Sequence, residues 1–478
     1  MAQDNQVAYS SLSSTTRVYN DDKNFYHALQ GKSAEIFKDL MDLGVIKNLE
    51  ERKLLVACQL LKSNKDGSII LSQPIGSRIY PKEWPLSLVS ESGIKVIEIQ
   101  KILDSNGYGL IDCHPYNFVL FDNEPLWVDL GSFEKKKYSF ELEFNEPEFL
   151  RNYIYPYKLA KKGMPKLTRI IMAPEVGGAE VASEVKALLS SLPRFLFLNI
   201  YMAKLLNKFE FFFRSPHNEA KTRLISRRLK ILPKAASRSI IMILSFLTKI
   251  RLNLWHKKLC NGLDKYKFNQ FWSDYSDQDI KIELKDERFK LISRVVTDLQ
   301  PKSILDVGGN NGELFEYLSQ YQNITFTQYI VVDRDDGAIE SGRLLSKTRE
   351  RYRGMRAQCV PSYFYMDFAN PWRSNYVRKV EERLKSDVVI ALALTHHLLL
   401  TDGLEISVMW RRFAEMTERF LIVEFMPLGL WGGHGEYPHV PSWYNLEWFK
   451  SEMLKNFELV GQHNISVNRI LLVAQVKS

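Results

Sequence analysis

The chain has 478 residues, of which 45% are hydrophobic and 25% are charged, and its net charge is +9. This composition is ordinary for a soluble globular protein of two or three domains with a sizeable core. Four widely separated cysteines exclude a metal-ligand spacing and indicate reduced thiols. No segment reaches the roughly 18 to 20 apolar residues of a membrane span. The first residues lack the layout of a signal peptide, so we expect a cytoplasmic protein.

We expect three regions, over residues 1–150, 151–280 and 281–478. The first is predicted to be an α/β unit. It begins with a hairpin over 17–28 and a helix over 33–43 that carries Glu35. A second helix is predicted over 93–103, and it leads into a loop that is rich in polar side chains.

This loop holds a spaced set of polar residues. Asp112 is followed five residues later by Asn117, then by two short predicted strands, and Asp129 stands just before Gly131. In such an arrangement one carboxylate can accept a hydroxyl proton. The amide and the second carboxylate can share magnesium ions that bridge phosphates. The spacing therefore indicates phosphoryl-transfer chemistry.

The same residues resemble the catalytic loop and metal-binding acid of protein-kinase-like phosphotransferases, especially those that act on small molecules. The resemblance implies a kinase-like α+β domain that binds ATP and Mg²⁺, with Asp112 as the base and Asn117 and Asp129 as metal ligands. The sequence departs from that family because no glycine-rich loop precedes residue 25, and His27 stands where a phosphate-binding lysine is expected. An active phosphotransferase, a degenerate lobe and a hairpin with chance acids all remain open.

The middle region is strongly basic. Residues 151–260 hold 22 Lys or Arg against 5 acids, and the apolar residues between them predict helices. Residues 221–258 fit a helix on an anionic membrane surface, which would make the protein membrane-peripheral. Nucleic acid is a less favoured acidic partner. The alternative is a solvated helical face with no such partner.

After a predicted lead-in helix, residues 304–313 read as a buried strand, a glycine-rich turn and the start of a helix. Glycines allow the backbone to approach a ligand closely, and a helix N-terminus offers unpaired N–H groups. Further strands are predicted over 328–333, 363–368, 386–394 and 419–425, with a closing pair over 457–460 and 469–474. Their alternation with helices predicts a mostly parallel sheet with a reversed edge.

Residues from about 280 to 478 resemble the class I S-adenosylmethionine-dependent methyltransferases. The resemblance implies a Rossmann-like seven-stranded domain whose first turn cradles the methionine half of the cofactor. It implies that Asp333 holds the ribose and that Asp367 and Phe368 flank the adenine. The implied residues of the turn are Asp306, Gly308, Gly309, Asn310 and Gly312. Asn310 replaces the usual middle glycine, which a left-handed turn tolerates.

A generic nucleotide-binding domain is the alternative for this half. A dehydrogenase is disfavoured, because the glycines do not follow the spacing G-x-G-x-x-G.

Two histidines follow the fourth predicted strand, where an acceptor would approach the methyl donor. His396 or His397 is a candidate catalytic base, since an imidazole takes up a proton near neutral pH. The alternative is that one packs under the sheet and the other caps a helix.

The order of the regions also resembles bacterial nodulation-type methyltransferases over most of the chain. We therefore expect methyl transfer to a small-molecule acceptor, with a saccharide or lipid-linked glycan preferred. One alternative is a bifunctional methyltransferase and magnesium-dependent sugar kinase. Another is a non-catalytic scaffold that binds nucleic acid or anionic lipid through its basic middle region.

Overall fold

The computed structural model describes residues 16–20, 24–64, 67–74, 79–173, 234–262, 282–319, 326–347, 359–375, 377–431 and 439–477. We call residues 16–262 the N-terminal half and residues 282–477 the C-terminal half. Each half has its own α/β arrangement. Residues 174–233 and 263–281, which form much of the predicted basic region, lie outside the described residues.

The N-terminal half begins with a four-stranded antiparallel sheet in the order β1-β2-β4-β3. Two helices stand between β2 and β3 and pack their apolar faces on the core. The strands are β1 (Thr16–Asn20), β2 (Asn24–Leu29), β3 (Gln59–Ser63) and β4 (Ile69–Pro74), and the helices are α1 (Gly31–Asp42) and α2 (Val45–Glu51). The predicted hairpin and first helix are thereby confirmed.

A long buried helix, α3 (Ser87–Ser105), follows a 3-10 turn at Pro81–Glu83 and contains the helix predicted over 93–103. After α3, short strands form two antiparallel pairs, β5 with β8 and β6 with β7. They are β5 (Tyr108–Leu110), β6 (Phe118–Phe121), β7 (Glu124–Trp127) and β8 (Phe133–Lys135), with a 3-10 turn at Pro115–Asn117. The β6–β7 turn places Asp122 and Asn123 at positive φ, as a tight two-residue hairpin requires.

Helices complete the N-terminal half. They are α4 (Glu146–Phe149), a π-helical turn (Leu150–Ile154), α5 (Tyr155–Lys161), α6 (Pro165–Ile171) and α7 (Lys234–Cys260). Helical turns run through residue 150. The predicted domain boundary at that residue stays a prediction. Among the described helices, none is long and apolar enough to cross a membrane.

The C-terminal half contains a seven-stranded sheet in the order β11-β10-β9-β12-β13-β15-β14. Strands β9 to β13 are parallel to one another. Strand β15 lies between β13 and β14 and is antiparallel to both. The strands are β9 (Ser303–Val307), β10 (Gln328–Asp333), β11 (Ser362–Tyr365), β12 (Ser386–Ala391), β13 (Thr417–Phe425), β14 (Phe457–Ser466) and β15 (Arg469–Val476).

Helices flank this sheet, which is therefore Rossmann-like. They are α8 (Ile282–Leu299), α9 (Glu313–Leu318), α10 (Asp336–Lys347), α11 (Val380–Arg383), α12 (Ile406–Met416) and α13 (Leu446–Met453). All six residues of β12 are buried, as in parallel strands covered on both faces. The edge strand β14 alternates in burial. Its apolar signal is therefore weaker, and the sequence predicted only its first four residues.

The two halves are joined by buried ion pairs. The Arg343 side chain of α10 is fully buried and bonds to Glu91 and to the hydroxyl of Ser87 on α3. Glu83 and Arg383 form a second, nearly buried pair, with one N–O distance of 2.9 Å. Buried charges of this kind are tolerated only when they are paired, so the docking of the halves is specific.

The tip of the β6–β7 hairpin makes a further contact between the halves. The Asn123 side-chain amide donates to the carbonyl oxygen of Pro361 at 2.8 Å and to the Ser346 hydroxyl at 3.2 Å. Its oxygen accepts from the backbone N–H of Tyr363 at 3.3 Å. The hairpin that follows Asn117 is therefore anchored beside β11.

Candidate functional site

The carboxyl ends of β9, β10, β11 and β12 meet where the strand order reverses. In open parallel sheets this is the place where ligands bind. The turn after β9 has three residues in the left-handed region: Gly308 (φ 73°), Asn310 (φ 51°) and Gly312 (φ 84°). The prediction that Asn310 adopts a left-handed turn is confirmed.

Two glycines of this turn have no room for a side chain. A Cβ on Gly309 would lie 2.6 Å from the carboxyl carbon of Asp306, and one on Gly312 would lie 2.5 Å from the Tyr363 hydroxyl. The backbone of the turn therefore sits directly on the side chains of neighbouring strands. This close packing fixes the position of its N–H groups at the start of α9.

Asp306 lies under the turn. Its carboxylate accepts a hydrogen bond from the Tyr329 hydroxyl at 2.9 Å. Burial raises the pKa of Asp306 to about 7, although the Tyr329 hydrogen bond opposes the shift. The structure gives Asp306 a supporting position, and its predicted direct contact with the cofactor stays a prediction.

Asp333 links the ends of two strands. Its carboxylate accepts from the backbone N–H of Asn310 at 3.0 Å and from that of Asp335 at 2.8 Å. Burial raises the pKa of Asp333 to about 6. A carboxylate has about four acceptor positions, so the neighbouring backbone N–H groups leave room for a hydrogen bond from a ribose hydroxyl. Asp333 thus fits its predicted role.

Asp367 and Phe368 follow β11. One carboxylate oxygen of Asp367 accepts from the backbone N–H groups of Ala369 at 3.1 Å and Asn370 at 3.3 Å. The ring of Phe368 is buried, with its centroid 4.5 Å from that of Phe413. The loop is therefore well fixed at the edge of the sheet, and its contact with adenine stays a prediction.

The loop after β12 closes over the turn. A Cβ on Gly308 would lie 3.2 Å from the side chain of Leu394. One terminal nitrogen of Arg334, next to Asp333, donates to both carboxylate oxygens of Asp402, at 2.9 and 2.7 Å. No local motif marks this pair, because 68 residues separate its partners. It ties the loops after β10 and β12 together on the ligand side.

His396 and His397 stand just after this loop, where a π-helical turn (His397–Thr401) begins, and their ring centroids are 4.0 Å apart. Burial, and then the charge of His397, lowers the pKa of His396 to about 3. Burial and the charge of Arg334 also lower the pKa of the half-buried His397. Both rings are therefore neutral near pH 7. His396 is too weak a base to take a proton readily, which leaves His397 as the better candidate.

Glu424 at the end of β13 is fully buried. Its carboxylate accepts from Arg288 at 2.7 and 2.8 Å, from Arg469 at 2.9 Å and from the backbone N–H of Ala393 at 2.9 Å. Oε2 accepts three of these bonds and Oε1 accepts one, and the side chain is fully buried, so Glu424 has a structural role. It holds Ala393, which adopts a positive φ of 49°, and so shapes the loop of the histidines.

The second candidate site lies in the N-terminal half. The backbone N–H of Val128 donates to the Asn117 carbonyl oxygen at 2.8 Å, which brings Asn117 next to the segment of Asp129. Burial, and then the charge of Asp112, raises the pKa of Asp129 to about 6. Asp112 accepts from the backbone N–H of His114 at 3.0 Å. The structure thus brings these three predicted residues together.

Other features of this half depart from an active kinase. Burial lowers the pKa of His27 to about 4, so its ring is uncharged, and Glu35 is exposed on α1. Kinases need a lysine–glutamate ion pair at these places. Among the described residues, no three His, Cys, Asp or Glu side chains converge to hold a metal ion. The metal-binding roles of Asn117 and Asp129 stay predictions.

Glu148 lies beside the loop of Asp112 and was not predicted from the sequence. Its carboxylate accepts from the backbone N–H of Cys113 at 2.9 Å. Burial, and then the charge of Asp112, raises the pKa of Glu148 to about 7. No local motif marks such a residue, because its neighbours come from a loop more than thirty residues earlier.

No known family model matches the chain. The chain is 22% identical over 458 residues to the nodulation protein NoeA of Rhizobium meliloti (strain 1021), covering 92% of this chain and 88% of NoeA. This similarity therefore extends over both halves.

Several solved structures are also similar to part of the chain. A S-adenosylmethionine-dependent methyltransferase from Clostridium acetobutylicum ATCC 824 is 11% identical, with 43% of this chain and 96% of that chain covered and a TM-score of 0.30. The methyltransferase domain of bacterial CtHen1 is 15% identical, with 41% and 100% covered and a TM-score of 0.29. The 16S rRNA methylase ArmA is 16% identical, with 43% and 95% covered and a TM-score of 0.28.

Proposed function

We propose that the chain transfers a methyl group from S-adenosylmethionine to an acceptor bound at the carboxyl edge of the C-terminal sheet. One observation carries the proposal. The half-buried carboxylate of Asp333 is hydrogen-bonded to the left-handed turn at Asn310, at the point where the strand order reverses. A carboxylate that can accept hydrogen bonds from a ribose thus lies beside a glycine-rich turn whose backbone a ligand can approach closely.

The cofactor, when bound, would supply a methyl group on a sulfonium: the acceptor nucleophile attacks the methyl carbon in line, the carbon–sulfur bond breaks, and S-adenosylhomocysteine is the leaving group. The chain's own task is alignment and exclusion of water. The turn over 308–312 offers backbone N–H groups to the methionine half. Asp333 would accept hydrogen bonds from the ribose hydroxyls, and Asp367 would accept one from the amino group of the adenine.

A proton has to leave the acceptor if the nucleophile is a hydroxyl. A ring nitrogen of His397 is the proposed proton acceptor, since the ring is neutral and half-buried beside the Arg334–Asp402 pair. His396 packs beneath it and positions its ring. A saccharide or a lipid-linked glycan is the proposed acceptor, because the N-terminal half resembles phosphotransferases of small molecules and sugars.

The test is calorimetric titration of the full chain with S-adenosylmethionine. Asp333→Ala removes a half-buried, charge-assisted acceptor, so we expect the Kd to rise roughly tenfold or more. Asp306→Ala should weaken binding through the turn. The matched control is Asp387→Ala, which removes a buried acid at the amino end of β12. There the Arg419 side chain and the backbone N–H of Lys302 donate to the Asp387 carboxylate. The control variant should lose stability and keep its affinity.

A folded wild-type chain that does not bind the cofactor would refute the methyltransferase proposal. An equal loss of affinity in Asp387→Ala would show that the variants act by general destabilisation. If binding holds, glycan acceptors are the first to be screened.

The N-terminal half supports a second candidate function, the binding of a magnesium nucleotide. The side-chain nitrogen of Asn117 is buried and has no hydrogen-bond partner among the described residues, and Asp112 and Asp129 lie near it. Because His27 is uncharged and Glu35 is exposed, we infer that this half binds a nucleotide without transferring its phosphate.

The measurement is titration with ATP and Mg²⁺, followed by an assay for phosphate release. Asp129→Asn should abolish magnesium-dependent binding. Asp122→Asn is the control, since Asp122 is an exposed acid in the nearby hairpin turn and Asn tolerates its positive φ. Phosphate transfer by the wild type would instead favour the bifunctional enzyme, and no binding would leave this half without a nucleotide role.

A further inference from the structure

Arg169 on α6 joins the N-terminal half to the cofactor edge of the C-terminal half. Its side chain is nearly fully buried. One terminal nitrogen donates to the carbonyl oxygens of Lys82 at 2.6 Å and Trp84 at 2.9 Å, within its own half. The other terminal nitrogen bonds to the carboxylate of Asp336 in the C-terminal half. The guanidinium also lies 3.8 Å from the centroid of the Tyr365 ring.

The two residues that Arg169 contacts flank the proposed adenosine site. Tyr365 is the partner of Asp333 in the parallel register of β10 and β11, and it stands two residues before Asp367. Asp336 is the first residue of α10, three residues after Asp333. One arginine therefore fixes both of the strand ends that are proposed to hold the ribose and the adenine.

Arg169 also balances charge at this edge. Four carboxylates stand close together in the chain or in register there, at Asp333, Asp335, Asp336 and Asp367. Arg334 is already engaged by Asp402, so Arg169 supplies the buried positive charge for Asp336. A planar guanidinium suits the position, because it can donate in a fork and stack on an aromatic ring at once.

We propose that Arg169 is a positioning residue for the adenosine end of the methyl-donor pocket, so that the N-terminal half is an integral part of the cofactor site. This inference rests on the proposed methyltransferase function.

The experiment compares the full-length Arg169→Gln and Asp336→Asn variants with the wild type by titration. The probes are S-adenosylhomocysteine and methylthioadenosine, which lacks the amino-acid part. We expect the Kd of both probes to rise roughly tenfold, and by the same factor, because the change lies at the adenosine end. General loosening of the turn at 308–312 would weaken S-adenosylhomocysteine more than methylthioadenosine.

The matched control is Glu91→Gln. Glu91 pairs with Arg343 and Lys347 across the same interface, but these partners lie about two turns of α10 away from Asp336. The Glu91→Gln variant should bind both probes with a Kd within roughly twofold of the wild-type value, even where its melting temperature falls. Arg169→Lys keeps the charge without the fork, so it should give an intermediate loss and serves if Arg169→Gln does not fold.

Unchanged affinity in folded Arg169→Gln and Asp336→Asn, or an equal loss in Glu91→Gln, would overturn the role of Arg169 and leave the proposed function intact. A wild type that binds neither probe would overturn both.

A second, independent observation concerns helix α7. One face of this helix exposes five large apolar side chains, with exposed fractions from 43% to 63%: Met242, Ile243, Phe246, Ile250 and Leu254. Their spacing places them on one stripe. The opposite face is buried against the N-terminal half through Ser245, Thr248, Leu252 and Leu259. A contiguous exposed apolar stripe of this kind marks an interaction surface.

The charge of α7 identifies the partner. The helix has six Lys or Arg and no acid. Lys249 and Arg251 pair with Asp104 and Glu146, whereas Lys257 and Lys258 are exposed at its C-terminal end. We infer that this stripe docks on an anionic membrane surface, which takes up apolar side chains and cations together. A second copy of the chain would instead bring like charges together.

Flotation with phosphatidylcholine vesicles, with and without phosphatidylserine, tests this inference. The full chain should bind the anionic vesicles, and Phe246→Ser/Leu254→Ser should lose most of that binding. Leu43→Ser/Val467→Ser is the control, since these side chains are equally exposed elsewhere. Binding that is absent, or unchanged in the α7 variant, would overturn the inference. So would a concentration-dependent dimer in light scattering that disappears in that variant.

Discussion

At the scale of single residues, the C-terminal site depends on acids that are buried in a region of low polarity. Asp306 is 2% exposed and receives one hydrogen bond, from Tyr329. Its ionised form is therefore poorly stabilised, and burial raises its pKa to about 7. Asp333 shows the same effect, with a pKa raised to about 6. Asp333 stands at the end of β10, where the hydroxyl donors of a ligand would compensate its charge.

This arrangement gives a pH dependence of stability. Because the pKa of Asp306 is raised by folding, its contribution is fully present below its ordinary pKa of 3.8 and is lost as the pH rises through about 7. In the absence of cofactor, the melting temperature of the wild type should fall between about pH 4 and about pH 7. Asp306→Asn should flatten that fall by a few degrees. Differential scanning fluorimetry of both chains measures it.

Asp387 provides a contrast of opposite sign. The hydrogen bond from Arg419 holds the pKa of Asp387 below its ordinary value, so its contribution is lost only as the pH falls into the acid range. Asp387→Asn should therefore be less stable than the wild type at neutral pH, with the difference shrinking in acid. A parallel pH profile for the two variants would contradict the assignment of Asp306.

At the scale of elements, short segments of the N-terminal half are fixed by partners in the C-terminal half. The 3-10 turn at Pro81–Glu83 ends in Glu83, whose carboxylate bonds to Arg383 at the end of α11. Arg383 also lies 4.8 Å from the centroid of the Tyr80 ring. A three-residue turn has little stability of its own, so these contacts determine its conformation.

Removing one partner of the Glu83–Arg383 pair leaves a charge buried without compensation. We expect Glu83→Gln or Arg383→Gln alone to cost about 3 to 5 kcal/mol of unfolding free energy. The double variant should recover part of that loss, because neither charge then remains buried. Urea denaturation of the four chains completes the double-mutant cycle. Additive losses would show that the two side chains do not interact.

At the scale of the whole molecule, the two halves share one interface that contains three buried arginines. Arg343 bonds to α3, Arg383 to Glu83, and Arg169 to Asp336. The hairpin tip at Asn123 adds hydrogen bonds to Pro361 and Tyr363. All of these contacts would be lost if one half unfolded or separated from the other.

We therefore expect the halves to unfold in a single calorimetric transition. A cofactor analogue at about a hundred times its Kd should raise the temperature of the entire transition, since binding adds about 2.7 kcal/mol to the native state. Scanning calorimetry with and without S-adenosylhomocysteine measures this. Two transitions, of which only one responds to the ligand, would show that the halves are energetically independent.

The sequence by itself determined the local features of this protein. The parallel strands β9, β10 and β12 lie where apolar runs ending in an acid or in a loop predicted them, because a strand buried on both faces has to be apolar throughout. The left-handed turn at Asn310 and the grouping of Asp112, Asn117 and Asp129 likewise follow from spacing within short segments.

Only the tertiary structure decided what depends on distant partners. It gave Glu424 a structural role through Arg288 and Arg469, and it favoured His397 over His396 by burial. It also placed Arg169 beside Tyr365, 196 positions further along the chain. The physical reason is that a hydrogen bond or an ion pair depends on distance in space. A single sequence records only distance along the chain.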